Sequence, residues 1–149
     1  MKASTVFTIF YAVMASALVI PQTANGIEKV APREAVEDTL QCGVGNPGVG
    51  GAGDQNALID GINHLNQKWP DAVWVVEPDS CNRVSCSWNS AIWLCSDAKS
   101  TIKAPTKQIT ALATMIIDNC IENTFMAIWT HGRAYHNEDW NVILGKDKC

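Results

Sequence analysis

The sequence predicts an α+β domain, a two-layer α/β sandwich in which about five mostly antiparallel strands carry two helices on one face. Three observations predict it. Residues 54–68 and 105–120 repeat apolar side chains at helical spacing. Short β-branched or alternating runs lie between and after them. Six cysteines, all downstream of an apolar leader, imply a small fold stapled by disulfides.

In chain order, residues 1–26 read as a secretory signal peptide. Lys2 gives the positive start, residues 6–20 are apolar, and Ala24-Asn25-Gly26 is a small-x-small cleavage site. The expectation is a secreted, extracellular protein without stable membrane insertion. Residues 27–53 form a polar, then glycine-rich N-terminal arm. Gly48, Gly50 and Gly53 fit a dinucleotide fingerprint, but no strand precedes them and Pro47 interrupts them, so no cofactor is expected. Residues 54–149 are the disulfide-stapled domain.

The first helix starts at Asp54 as N-cap, carries Leu58, Ile62, Leu65 and Trp69 on one stripe, and stops at Pro70. Residues 72–77 read as a strand. Residues 81–95, CNRVSCSWNSAIWLC, read as a hairpin turning on Asn89-Ser90. That register places Val84, Cys86, Trp88, Ala91, Trp93 and Cys95 on the core side. Arg83, Ile92 and Leu94 then lie on the other, mixed face. Residues 96–104 read as a polar connection. The second helix runs from Pro105 to Cys120, with Ile109, Leu112, Ala113, Ile116 and Cys120 on one face. Residues 126–136 and 140–144 read as strands around an Asn137-Glu138-Asp139 turn.

Cys42, Cys81, Cys86, Cys95, Cys120 and Cys149 allow 15 connectivities. In the expected hairpin, Cys86 and Cys95 are diagonal neighbours, ~7 Å apart and too far for a relaxed bridge. The favoured pair is therefore Cys95–Cys120, with Cys81 reaching Cys42 or Cys149. No Cys-x-x-Cys occurs and the histidines are scattered, so no metal site is expected.

Without Lys2, ten basic residues face fifteen acidic ones, a net charge of −5. Bulk charge thus argues against a nucleic-acid partner, and a monomer is expected. The one polar cluster with catalytic content is His131, Arg133, His136 and Glu138. Two imidazoles, a carboxylate and a guanidinium could serve an extracellular ribonuclease-like hydrolase. The bland reading is a solvated strand end, and no G-x-S-x-G nucleophile motif occurs. Trp74, Trp129 and Trp140 are the tryptophans left for an exposed patch, which keeps a carbohydrate-binding module as a further alternative.

Residues 54–149 resemble small secreted cysteine-rich fungal proteins, the group of necrosis-inducing effectors and smut killer toxins. The CNRVSCSWNSAIWLC run, the helix ending in Cys120 and the terminal DWNVILGKDKC carry the resemblance. It implies an α/β sandwich and an extracellular role against a host or competitor protein or cell-surface target. The killer toxins are basic and this chain is acidic, which argues against channel block. The leading expectation is an effector or toxin-like protein that binds without catalysis. Its candidate surface is Arg83, Ile92, Leu94, Arg133, Tyr135 and Trp140.

Overall fold

The computed structural model describes residues 40–43 and 51–149. The expected leader, most of the N-terminal arm and residues 44–50 lie outside the described residues. The elements are β1 (Leu40–Cys42), β2 (Gly53–Asp54), α1 (Gln55–Lys68), β3 (Val73–Val76), β4 (Cys81–Ser87) and β5 (Ser90–Ser96). They continue with β6 (Ile102–Pro105), α2 (Thr106–Asn119), β7 (Ile121–Asn123), β8 (Ile128–Thr130), β9 (Gly132–His136) and β10 (Trp140–Lys146). Five strands form an antiparallel sheet in the order β1-β9-β10-β5-β4. The fold is α+β, as expected. The main sheet also takes in β1, upstream of the expected domain start at Asp54.

Both helices cover one face of this sheet, α1 against β4 and β5, α2 against β9 and β10. The register explains why. Leu94 faces Val142 and Ile92 faces Leu144 across β5 and β10, and Ala134 follows on β9. These side chains meet Leu58, Ile62 and Leu65 of α1 and Ile109, Leu112, Ala113 and Ile116 of α2 in one core. Asp54 caps α1 by accepting from the Ala57 N–H at 3.0 Å. Trp69 does not continue the α1 stripe. It is the C-cap at φ −135°, which swings the indole outward and leaves it 53% exposed.

The hairpin differs from expectation by one residue. Its turn is Trp88-Asn89, with Ser87 opposite Ser90. Both turn residues have positive φ, 48° and 55°, as a type I′ turn requires. A left-handed tryptophan costs on the order of 1–2 kcal/mol. The shift inverts β5: Ile92 and Leu94 face the core, while Trp93 and Cys95 face the other side. Both faces of β5 are apolar in sequence, so alternation could not choose between them; the aliphatic pair packs under the helices. A bulge between Arg83 and Ser85 lets half-buried Val84 reach the core. Trp88 leaves the core altogether and is 85% exposed.

The cysteine pairing changes with the register. Cys81 and Cys95 lie directly opposite each other and are bridged. Cys95 thereby faces away from α2, so the expected Cys95–Cys120 pair does not form. Cys120 instead bonds Cys42, which sits on the helix side of β1 opposite Gly132. Cys86 bonds Cys149.

Three further strands, β2, β6 and β7, are not among those expected from the sequence. Ile102 and Ala104 of β6 bury themselves beside Val76 and Trp74 of β3, within the stretch read as a polar connection. β7 pairs with β8, which pairs with β2, in a second small sheet. The strand expected over 126–136 is therefore broken at His131, and its halves belong to different sheets. Gly132 permits this: a Cβ there would sit 2.9 Å from the Gln41 carbonyl oxygen and 3.0 Å from Cys120 Sγ. Among the described residues no helix is long and apolar enough to cross a membrane.

Candidate binding surface

The polar cluster of the sequence does not converge. His131 sits in the break before β9, largely buried, with Nδ1 3.0 Å from the Glu122 carboxylate of β7. The distance is that of an ion pair once the imidazole is protonated, but the geometry is not aligned as a hydrogen bond. His136 lies at the far end of β9, about 16 Å along an extended strand. It stacks on Trp140, with centroids 4.3 Å apart and planes 17° apart. Its Nδ1 accepts from the Glu138 N–H at 3.3 Å, and the Glu138 carboxylate is 3.9 Å away.

Arg133 and Tyr135 occupy the sheet face opposite Ala134. Arg133 Nη1 donates to Tyr135 Oη at 3.2 Å, and Tyr135 Oη donates to Gln41 Oε1 at 3.2 Å. The guanidinium also lies 5.7 Å from the tyrosine ring centroid. Each histidine thus has its own carboxylate and its own end of the strand. A general acid and base flanking one scissile bond would need both imidazoles within reach of a single reacting group.

The expected binding surface is also redistributed. Ile92, Leu94 and Trp140 are buried beneath the helices, because the hairpin register and the β9–β10 pairing turn them inward. Arg83 remains at the surface but is fully engaged. It pairs with Asp147 at 2.8 Å, donates to the Lys148 carbonyl at 2.9 Å and lies 5.6 Å from the Trp93 centroid. Trp74 is half-buried and donates from Nε1 to Thr106 Oγ1 at 3.0 Å. Of the expected patch, only Arg83, Arg133 and Tyr135 stay accessible.

The largest exposed apolar group among the described residues begins ahead of the strand expected over 126–136 and runs into its start. β7 and β8 form a short ribbon whose turn is closed by the Thr124 N–H and hydroxyl, which donate to the Ala127 carbonyl at 3.0 and 2.9 Å. Phe125 and Met126 stand at its tip, 105% and 91% exposed, and Ile121 and Ile128 behind them are roughly half-exposed. The ribbon is anchored at its base, since Cys120 immediately precedes β7 and is bridged to Cys42. A Phe-Met pair between Thr124 and Ala127 was the available signal, but apolar residues near a strand pattern read first as core.

A second exposed aromatic, Trp88, crowns the β4–β5 hairpin. Comparison with protein-family models, with curated proteins and with solved structures finds no match to this chain.

Proposed function

We propose that this is a secreted, disulfide-stapled protein of effector or toxin-like character that binds a target on a host or competitor cell without catalysis. The observation that carries the reading is the apolar ribbon tip, Phe125 and Met126 with Ile121 and Ile128. Full burial of one such side chain is worth about 1.5–3 kcal/mol. A partner that covers both tip residues would therefore gain roughly 3–6 kcal/mol. Side chains this exposed contribute little to the domain's own stability, so their place at a closed tip suits a partner.

Export is supported by three bridges in so small a chain, which are consistent with an extracellular protein, and by the leader pattern of residues 1–26. The separation of the histidines favours binding over hydrolysis. The effector-like role draws on the resemblance carried by the hairpin run.

The test is binding of the oxidised, fluorescently labelled protein to host and competitor cells. The Phe125→Ser/Met126→Ser variant should lose at least about tenfold in apparent affinity. Its disulfide map and far-ultraviolet circular dichroism should not change. Cell binding that persists at the wild-type level in this variant would remove the ribbon as the contact.

A further inference from the structure

We propose that Trp88 and Asp60 form a site for a cationic side chain, lysine or arginine, presented by a partner protein. This site is separate from the ribbon and stands whether or not the ribbon meets a target. Trp88 is the most exposed of the tryptophans that the sequence analysis placed in the core. Two open hollows flank its indole. One, of about 340 Å³, is lined by Asp60, Gly61, His64, Ser85 and Ser87. The other, of about 300 Å³, is lined by Asp54, Asn56 and Asp60. Trp88 and Asp60 border both.

The chemistry of these walls selects a cation. An indole face attracts positive charge, and Asp60 lines the same two hollows. No lysine or arginine lines either hollow, and among the described residues Asp60 takes part in no ion pair. Asp54 is partly committed, since its Oδ1 caps α1. The chain as a whole is acidic, with a formal charge of −4 before any processing, which steers a basic partner toward it. A sugar face would call for a broader aromatic platform. Trp69, the other well-exposed indole, sits at the far end of α1 and lines neither hollow.

The site is also held in place. The Asn89 carbonyl accepts from the Asp147 N–H at 3.0 Å, and Ser90 Oγ accepts from the Asp54 N–H at 2.9 Å. Cys86, two residues before Trp88, is bridged to Cys149. Gly61 brings α1 close to β4, since a Cβ there would lie 2.7 Å from Ser85 Oγ, and its missing side chain leaves the hollow open. The backbone that carries the indole is therefore held in place, which lowers the ordering cost of binding.

The experiment titrates a hexalysine peptide into the oxidised full-length protein at low salt, by calorimetry. Trp88→Gly removes the indole, keeps every charge and suits the positive φ of the turn, so folding is not at risk. It should weaken hexalysine binding by about three- to thirtyfold. Trp88→Phe should retain most of the affinity, and Asp60→Asn should lower it several-fold. Equal affinity in wild type and Trp88→Gly would show attraction by bulk charge alone and overturn the proposal. Binding of chitohexaose that is lost in Trp88→Gly would overturn the cation assignment in favour of a glycan site.

Discussion

Removing the Cys42–Cys120 bridge should destabilise the domain more than removing Cys81–Cys95. The reason lies in the chain that each bridge closes. Cys42 and Cys120 are 78 positions apart, and Cys81 and Cys95 only 14. Loop-closure entropy assigns about 4.5 kcal/mol to the first and about 3 kcal/mol to the second. With the Cys81–Cys95 bridge left intact, the path between Cys42 and Cys120 shortens to about 65 residues, which trims the first figure to about 4.3 kcal/mol. The expected difference is thus about 1.3 kcal/mol. Packing losses largely cancel, because each pair contributes one buried sulfur, Cys120 or Cys95. The assay is guanidinium unfolding of the Cys42→Ala/Cys120→Ala and Cys81→Ala/Cys95→Ala variants, followed by tryptophan fluorescence. A Cys81/Cys95 variant that is the less stable of the two would refute the entropic ranking. A peptide map of the wild type that finds Cys95 joined to Cys120 would refute the hairpin register itself.

The tight approach of α1 to β4 gives a second test. Gly61→Ala should cost about 1–3 kcal/mol through the clash with Ser85 Oγ, although alanine is the better helix former. Gly61→Ala/Ser85→Ala should recover most of that loss, and a double variant as unstable as the single one would place the strain elsewhere. For catalysis, the oxidised protein should leave RNA intact between pH 5 and 8, the range in which histidine changes charge. Cleavage that vanishes in His131→Ala would restore the hydrolase reading.

Much of the fold was legible because its signals are local. The 3.6-residue stripe of α1, its Asp54 cap and the Pro70 stop define that helix without tertiary information. The same holds for the Ile109–Ile116 stripe of α2. What failed was every decision that depended on which of two apolar faces packs inward. Alternation in residues 81–95 is satisfied by two registers one residue apart, and only the choice of Trp88-Asn89 as the turn separates them. A bulky residue at positive φ is a poor guess from sequence, so the usual turn preference favoured Asn89-Ser90. That one displacement propagated to Ile92, Leu94, Trp93, Cys95 and the disulfide map. β2 and β7 escape detection because runs of two or three residues carry too few periods to register, and β6 because it directly follows the polar run 96–101. The candidate site was the least legible part. His131 and His136 are near in sequence, and only the break at Gly132 and the stack on Trp140 separate their roles.

The corrected disulfide map also explains how a small domain can present exposed aromatics without fraying. β1 and β4 are the two edges of the main sheet. Edge strands open first and invite unwanted pairing. β1 is tied to the end of α2 by Cys42–Cys120, and β4 is tied to β5 by Cys81–Cys95 and to the C-terminus by Cys86–Cys149. Every bridge therefore acts on an edge strand, where chain entropy would otherwise be released most easily. The same bridges stand beside the two exposed tips. Cys86 lies two residues before Trp88, and Cys120 immediately precedes the ribbon that carries Phe125 and Met126. A staple at the base of a tip restrains the tip without covering it. Loop residues held on a rigid scaffold are the usual carriers of recognition. Here the scaffold is rigid at the two points from which apolar side chains project. That coincidence of staple and exposed tip is the physical ground for the proposal that this protein acts by binding.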